Sequence, residues 1–318
     1  MQTKLNKIVI LTVTMTFIVI VLGAYTRLKD AGLGCPDWPG CYGKFLAPEA
    51  DTKAWTEMVH RYVAGSLGIL ILYLAIQAIR NRRQFPKLWL AATFVVLLVI
   101  FQALLGMWTV TLGLYPVIVM GHLLGGFAIL AGLWLLYLQL AEGPNINLTK
   151  QHSRQLKFLA TLSTIALISQ IALGGWTSSN YAALVCADFP TCQGQLWPAM
   201  DWQSAFNFIQ VGIFESPGMP LENSARVTIQ MAHRLGALFS TILICLLCSK
   251  LYFTKVRILI ILAKTLFVLL AAQISLGISN ILAGLPLIVS LMHSAIAALL
   301  LICLITIMYF LYAKNHTV

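Results

Sequence analysis

The chain has 318 residues, of which 59% are hydrophobic and 10% charged, with a mean hydropathy of +0.86. Soluble globular domains carry about a quarter charged residues, so these proportions exclude a soluble protein and indicate a polytopic membrane protein. The net charge of +11 sits in short basic clusters between apolar runs, a pattern that orients membrane segments and does not point to nucleic acid.

A membrane-spanning helix needs about 20 predominantly apolar residues. Eight runs meet that length, at 8–27, 57–79, 88–111, 117–140, 157–177, 226–249, 257–283 and 287–312. The first, preceded by Lys4 and Lys7, resembles a cleavable signal peptide, but its match to the internal run at 157–177 argues for a retained helix. The basic residues Lys4, Lys7, Arg80, Arg82, Arg83, Lys87, Lys150, Arg154, Lys157, Lys250, Lys255, Arg257 and Lys314 all fall on one side of these runs. The positive-inside rule makes that side the cytoplasm, with both termini there. The opposite side receives the long loops 28–56 and 178–225 and nearly all acidic residues, Glu142 being the exception.

The two halves repeat. Leu22-Gly23-Ala24-Tyr25-Thr26 matches Leu173-Gly174-Gly175-Trp176-Thr177, and at the same offset Cys35, Pro39, Cys41 and Gly43 meet Cys186, Pro190, Cys192 and Gly194. Glu57-x-x-His60-Arg61 then meets Gln230-x-x-His233-Arg234, Gln102-x-x-Leu105-Gly106 meets Gln273-x-x-Leu276-Gly277, and His122 meets His293. The expected fold is an all-α integral membrane protein of two tandem four-helix units, 1–145 and 146–318. Each unit has an even number of spans, so both insert in the same orientation and a pseudo-twofold axis along the membrane normal is expected. An extra segment between Cys192 and His233, with Trp202, Phe206, Ile209 and Phe214, reads as an interfacial helix or an ordinary loop.

The four repeat histidines, His60, His122, His233 and His293, enter from the loop side and lie at one depth, two in each unit. Paired imidazoles at one level suit clamping a planar macrocycle inside a helix bundle. A structural zinc site would need further ligands beyond two histidines. His152 and His316 receive no role. Arg61 and Arg234 suit haem propionates or anchor helix ends at the interface, and Trp38, Trp55, Trp197 and Trp202 cover a pocket or form an aromatic belt. Glu57 shares a helix face with His60. It is a candidate proton acceptor beside the macrocycle, or a solvated carboxylate at a helix start. Gln230 in its place makes the units unequal, one reactive and one suited to electron transfer. Cys35 with Cys41 and Cys186 with Cys192 are expected to form loop disulfides, structural or redox-active, while Cys245, Cys248 and Cys303 read as core.

Together, Glu-x-x-His-Arg, Gln-x-x-His-Arg, the later histidines and a cysteine pair in each long loop resemble haem A synthase, in the bacterial form that carries those pairs. The resemblance covers nearly the whole chain. It implies an oxidoreductase of the bacterial cytoplasmic membrane that converts the C8 methyl group of haem O to the formyl group of haem A through a gem-diol. It further implies that His60 and His122 hold the substrate haem, that Glu57 assists the chemistry, that His233 and His293 ligate a resident haem b, and that Arg61 and Arg234 meet propionates. Haem O synthase is the implied neighbour, and the electron acceptor stays unidentified. The rival readings are a dihaem b-type cytochrome serving quinol, which leaves the Glu57/Gln230 difference without a reason, a membrane thiol oxidase using the cysteine pairs, which has no need of the histidines, and a parallel-repeat transporter, which fits the symmetry but lacks broken helices with midplane polar groups.

Overall fold

A computed structural model describes residues 2–85, 88–141, 150–208 and 221–312. Apolar runs continuous over 20 or more residues leave the backbone no solvent partner inside a bilayer, and helices satisfy every peptide group internally. The chain accordingly forms α1 (Gln2–Leu28), α2 (Thr52–Arg80), α3 (Leu88–Thr111), α4 (Pro116–Leu140), α5 (Lys150–Ser179), a single turn α6 (Trp202–Ala205), α7 (Asn223–Tyr252), α8 (Arg257–Leu282) and α9 (Leu287–Tyr312). Eight of these are long and apolar enough to cross a membrane. Among the described residues there is no strand beyond two isolated bridges.

Helix α2 begins five residues before its apolar run, because Asp51 caps it by accepting the amides of Lys53 and Ala54, each at 3.0 Å. Glu57 therefore lies in the second turn and is only 4% exposed, which overturns its reading as a solvated helix-start carboxylate. In the extra segment of the second half, the described residues hold the single turn α6 and, from Asn223, the start of α7. Asp201 caps it by accepting the Ser204 amide, and the Trp176 indole donates to the Ala205 carbonyl at 2.9 Å. Ile209 and Phe214, expected on the same segment, lie outside the described residues, as do Glu142, Lys314 and His316.

In the first half α1 packs on α2, α2 on α3, α3 on α4 and α4 back on α1. In the second, α5, α7, α8 and α9 close the same ring. The rings meet through α1 against α9, α4 against α5, and α4 against α9. Leu130, Leu133 and Leu136 on α4 and Leu300, Leu304 and Ile307 on α9 are almost wholly buried along that seam. Lipid is as apolar as leucine, so close packing and interhelical hydrogen bonds do the holding. One such bond joins the halves from the Trp134 indole to the Thr306 hydroxyl at 2.8 Å. Outward faces stay apolar, with Ile69, Phe94 and Val268 largely exposed.

The two cysteine loops share one design. Cys35–Cys41 and Cys186–Cys192 are disulfide-bonded, and each closes onto a hairpin turn whose two central residues have positive φ, Tyr42-Gly43 (54°, 70°) and Gln193-Gly194 (53°, 76°). Glycine at the second position is what such a turn favours. Asp37 accepts the amides of Tyr42 and Gly43 at 2.7 and 2.6 Å, and Asp188 accepts those of Gln193 and Gly194 at 2.8 and 2.9 Å. The peptide bonds Trp38–Pro39 and Phe189–Pro190 are both cis.

Candidate active site

His60, His122, His233 and His293 sit on α2, α4, α7 and α9, about two to three turns from the end that adjoins the loops. Each ring lies against a glycine on the preceding long helix. A Cβ added to Gly23, Gly174 or Gly277 would stand 3.2 Å from Cε1 of His60, His233 or His293, and one added to Gly106 would stand 3.1 Å from Cε1 of His122. No side chain fits between ring and helix, so these positions act as cradles. Their signature in the sequence is slight: Gly23 pairs with Gly174 and Gly106 with Gly277 in the repeat, each on the helix before one that carries a histidine. The Nδ1 atoms of His60, His122 and His293 are buried with no hydrogen-bond partner.

Glutamines come next. The Gln102 carboxamide donates to the His122 carbonyl at 2.6 Å. Gln170 Nε2 donates to the His233 carbonyl at 3.0 Å and lies 3.0 Å from His233 Nδ1, and Gln273 Nε2 lies 3.2 Å from His293 Nε2. Gln170 does not stand out in the sequence because its counterpart in the first half is Val19.

Glu57 is held on both oxygens. Oε2 accepts the Cys35 amide at 2.9 Å and Oε1 accepts Arg61 Nη2 at 2.5 Å. Arg61 also donates to the carbonyls of Asp37 and Gly40 at 2.9 and 2.6 Å. In the other half Arg234 donates to the carbonyls of Cys186, Asp188 and Thr191 at 3.0, 2.8 and 2.8 Å, and the buried Gln230 leaves Oε1 without a partner. Both guanidiniums are thus occupied in holding the cysteine loops over the helix ends. Trp55 packs beside the Cys35–Cys41 pair, whereas Trp38, Trp197 and Trp202 are exposed.

Three loop carboxylates outside the spans, Asp37, Asp188 and Asp201, are acidified by the groups that donate to them. The Gly43 amide holds Asp37 below the usual carboxylate range. The Thr191 hydroxyl and Gly194 amide bring Asp188 to about 2, and the Ser204 side chain and amide lower Asp201.

These features define a multi-pass helical membrane protein with two glycine-backed imidazoles in each half and a buried carboxylate one turn from one of them. The chain belongs to the family of cytochrome oxidase assembly proteins, whose sequence pattern matches residues 6–305. It is 43% identical to the haem A synthase of Shewanella oneidensis over 96% of both chains. Identity to the haem A synthase of Halalkalibacterium halodurans is 27%, covering 96% of this chain and 97% of that one. For that of Shouchella clausii it is 25%, covering 89% and 88%.

Haem is the group those relatives imply, and the residues fit it. A haem iron takes two axial ligands, and each half offers two imidazoles. Glycine cradles let the rings retreat against the helix wall. Among the described residues no three His, Cys, Asp or Glu side chains gather into a cage for a bare metal ion.

Proposed function

We propose that this protein is a haem A synthase, an oxidoreductase converting the C8 methyl group of haem O to the formyl group of haem A. The observation that carries this reading is the set of four repeat histidines, two in each half and each ring set against a glycine of the preceding long helix, with a carboxylate one turn from the histidine in the first half only. In this reading the units 1–145 and 146–318 are related by a pseudo-twofold axis along the membrane normal. His60 and His122 hold the substrate haem, and His233 and His293 would hold a resident haem b, which when bound supplies one-electron redox chemistry.

Methyl to formyl is a four-electron oxidation that adds one oxygen atom through a gem-diol that loses water; with oxygen taken at the level of water it releases four protons and four electrons, which require an external electron acceptor. In this reading Glu57, one turn from His60 on α2, would take a proton from, or orient water toward, the methyl carbon. Arg61 and the Cys35 amide fix its carboxylate so that it does not rotate away. The replacement by Gln230 keeps the shape and removes the proton acceptor, which assigns chemistry to the first unit and electron transfer to the second. Arg61 and Arg234 remain candidates for propionate contact only through the donors that the loop carbonyls leave over.

The farnesyl chain of haem O and the apolar outer helix faces favour arrival of substrate from the bilayer. Haem O synthase is the enzyme class that supplies it. The basic clusters support a position in the bacterial cytoplasmic membrane with both termini cytoplasmic and the cysteine loops outside. Haem extracted from the purified protein, produced with and without haem O, tests the reading. Haem A appearing only with haem O supports it; haem b alone under both conditions would make the protein a dihaem cytochrome.

A further inference from the structure

Three of the four cradle glycines follow a glutamine by one helical turn: Gln102 before Gly106, Gln170 before Gly174 and Gln273 before Gly277. The fourth, Gly23, follows Val19. The glutamines reach the histidine of the neighbouring helix, and the Oε1 atoms of all three are buried with no partner. Space for two of them comes from Gly125 and Gly236, one turn beyond His122 and His233, where an added Cβ would overlap the Gln102 and Gln170 oxygens. In α9 that position is Ile296, and there Gln273 meets the ring of His293 rather than its carbonyl. In α2 it is Val63, so the His60 quarter lacks both the carboxamide and its space; of the four Nδ1 atoms only that of His233 has a carboxamide beside it.

We propose that Gln170 is the positioning residue for His233 as an iron ligand, and that Val19 leaves His60 as the readily exchanged ligand. This rests on the haem reading above. A neutral imidazole that binds iron through Nε2 carries its proton on Nδ1, and ligating histidines nearly always give that proton to an acceptor, which fixes ring orientation and strengthens the ligand. The Gln170 carboxamide already lies 3.0 Å from His233 Nδ1. Rotation about its last bond, at the expense of its bond to the His233 carbonyl, presents the unpartnered oxygen to that proton; oxygen and nitrogen are interchangeable in size. Nothing equivalent reaches His60. This division matches what each unit has to do, since a resident haem must stay whereas substrate must enter and product must leave through the same coordination site.

The test uses the full-length protein with its haem. His233→Ala must first remove the second-unit haem; retention of that haem overturns the haem reading and this inference with it. Given that loss, Gln170→Val is expected to release haem to apomyoglobin about 10- to 100-fold faster than the parent and to raise the midpoint potential, because a ligand without its acceptor donates less charge. Gln170→Glu, which keeps an acceptor and adds charge, is expected to lower the potential. A packing role would move both potentials in one direction. Shifts of the same sign, or an unchanged release rate in Gln170→Val, would overturn the positioning role while leaving the haem reading intact. If Gln170→Val fails to accumulate, the sign in Gln170→Glu still decides, a rise overturning the inference. The paired change Val19→Gln with Val63→Gly supplies the missing carboxamide and is expected to slow haem A release from the first unit about tenfold; unchanged release would overturn the role given to Val19.

Discussion

Glu57 and Arg61 stand one turn apart on α2 and meet at 2.5 Å, with 5% and 13% of their side chains exposed. Between them on the helix is His60. The pair ties the candidate active site to the Cys35–Cys41 loop, since Glu57 takes the Cys35 amide and Arg61 the Asp37 and Gly40 carbonyls. In the second half Arg234 holds the Cys186–Cys192 loop through the Cys186, Asp188 and Thr191 carbonyls, with Gln230 where the carboxylate would be. The same fastening is therefore made with a charge pair in one unit and with a single cation in the other.

Glu57→Gln separates fastening from chemistry. Glutamine retains an oxygen for the Cys35 amide and the size of the parent side chain, so the loop and the haem content should persist. Loss of the proton acceptor should remove haem A from the extract, and general acid–base contributions of this kind are worth about 10²–10⁴-fold in rate. Undiminished haem A production by the variant would exclude Glu57 from the chemistry.

Arg61→Ala and Arg234→Ala should differ although their sequence contexts match. Removing Arg61 strands a buried carboxylate, and breaking a buried pair from one side costs about 3–5 kcal/mol. Removing Arg234 leaves carbonyls only, at about 1–3 kcal/mol for the unsatisfied groups. Thermal unfolding of the two variants measures the gap. The double variant Glu57→Gln with Arg61→Ala should recover part of the Arg61→Ala loss, and no recovery would show that the carboxylate is not the source of the penalty.

The cradle glycines predict a change in haem content without a change in fold. In Gly174→Ala the new Cβ would press on His233 Cε1 from 3.2 Å, displacing the ring at about 1–3 kcal/mol. Alanine returns about 1 kcal/mol through helix propensity. The protein should accumulate normally while losing haem from the second unit, and Gly23→Ala should do the same in the first. Equal haem content in parent and variants, measured by pyridine haemochrome, would show that the glycines do not shape the haem sites.

Much of this is legible in the chain. Eight apolar runs and four histidines within them stand out because polar groups are rare at such depths, and the cysteine pairs stand out by their spacing in repeated loops. The start of α2 is not legible from hydropathy, because the Asp51 cap lies outside the apolar run and carries Glu57 with it into the buried second turn. The role of Arg61 and Arg234 is hidden for a different reason: their partners are backbone carbonyls, which every sequence offers everywhere, and only the folded loop brings them together. Gln170 is hidden because the repeat pairs it with Val19, so that matching the halves passes over the place where the mismatch matters.

The acidified loop carboxylates set an acid limit that can be read directly. Asp188 titrates at about 2 in the folded loop, against about 3.9 for a free aspartate. A carboxylate whose value is lowered by folding stabilises the fold fully above its unfolded value, and that contribution disappears as pH falls through the folded one. The Cys186–Cys192 turn should therefore hold its Gly194 and Gln193 amides unchanged from neutrality to about pH 4 and lose them between about 4 and 2. Asp37, lowered for the same reason, should release the Gly43 and Tyr42 amides over an acid window that likewise begins near the ordinary aspartate value. Hydrogen exchange at these amides against pH reports the loss, and Asp188→Asn should raise exchange at Gly194 at neutral pH while making it insensitive to acid. Exchange that accelerates between about pH 7 and 5 in the parent, well above the window in which an aspartate titrates, would show that some other group holds the turn.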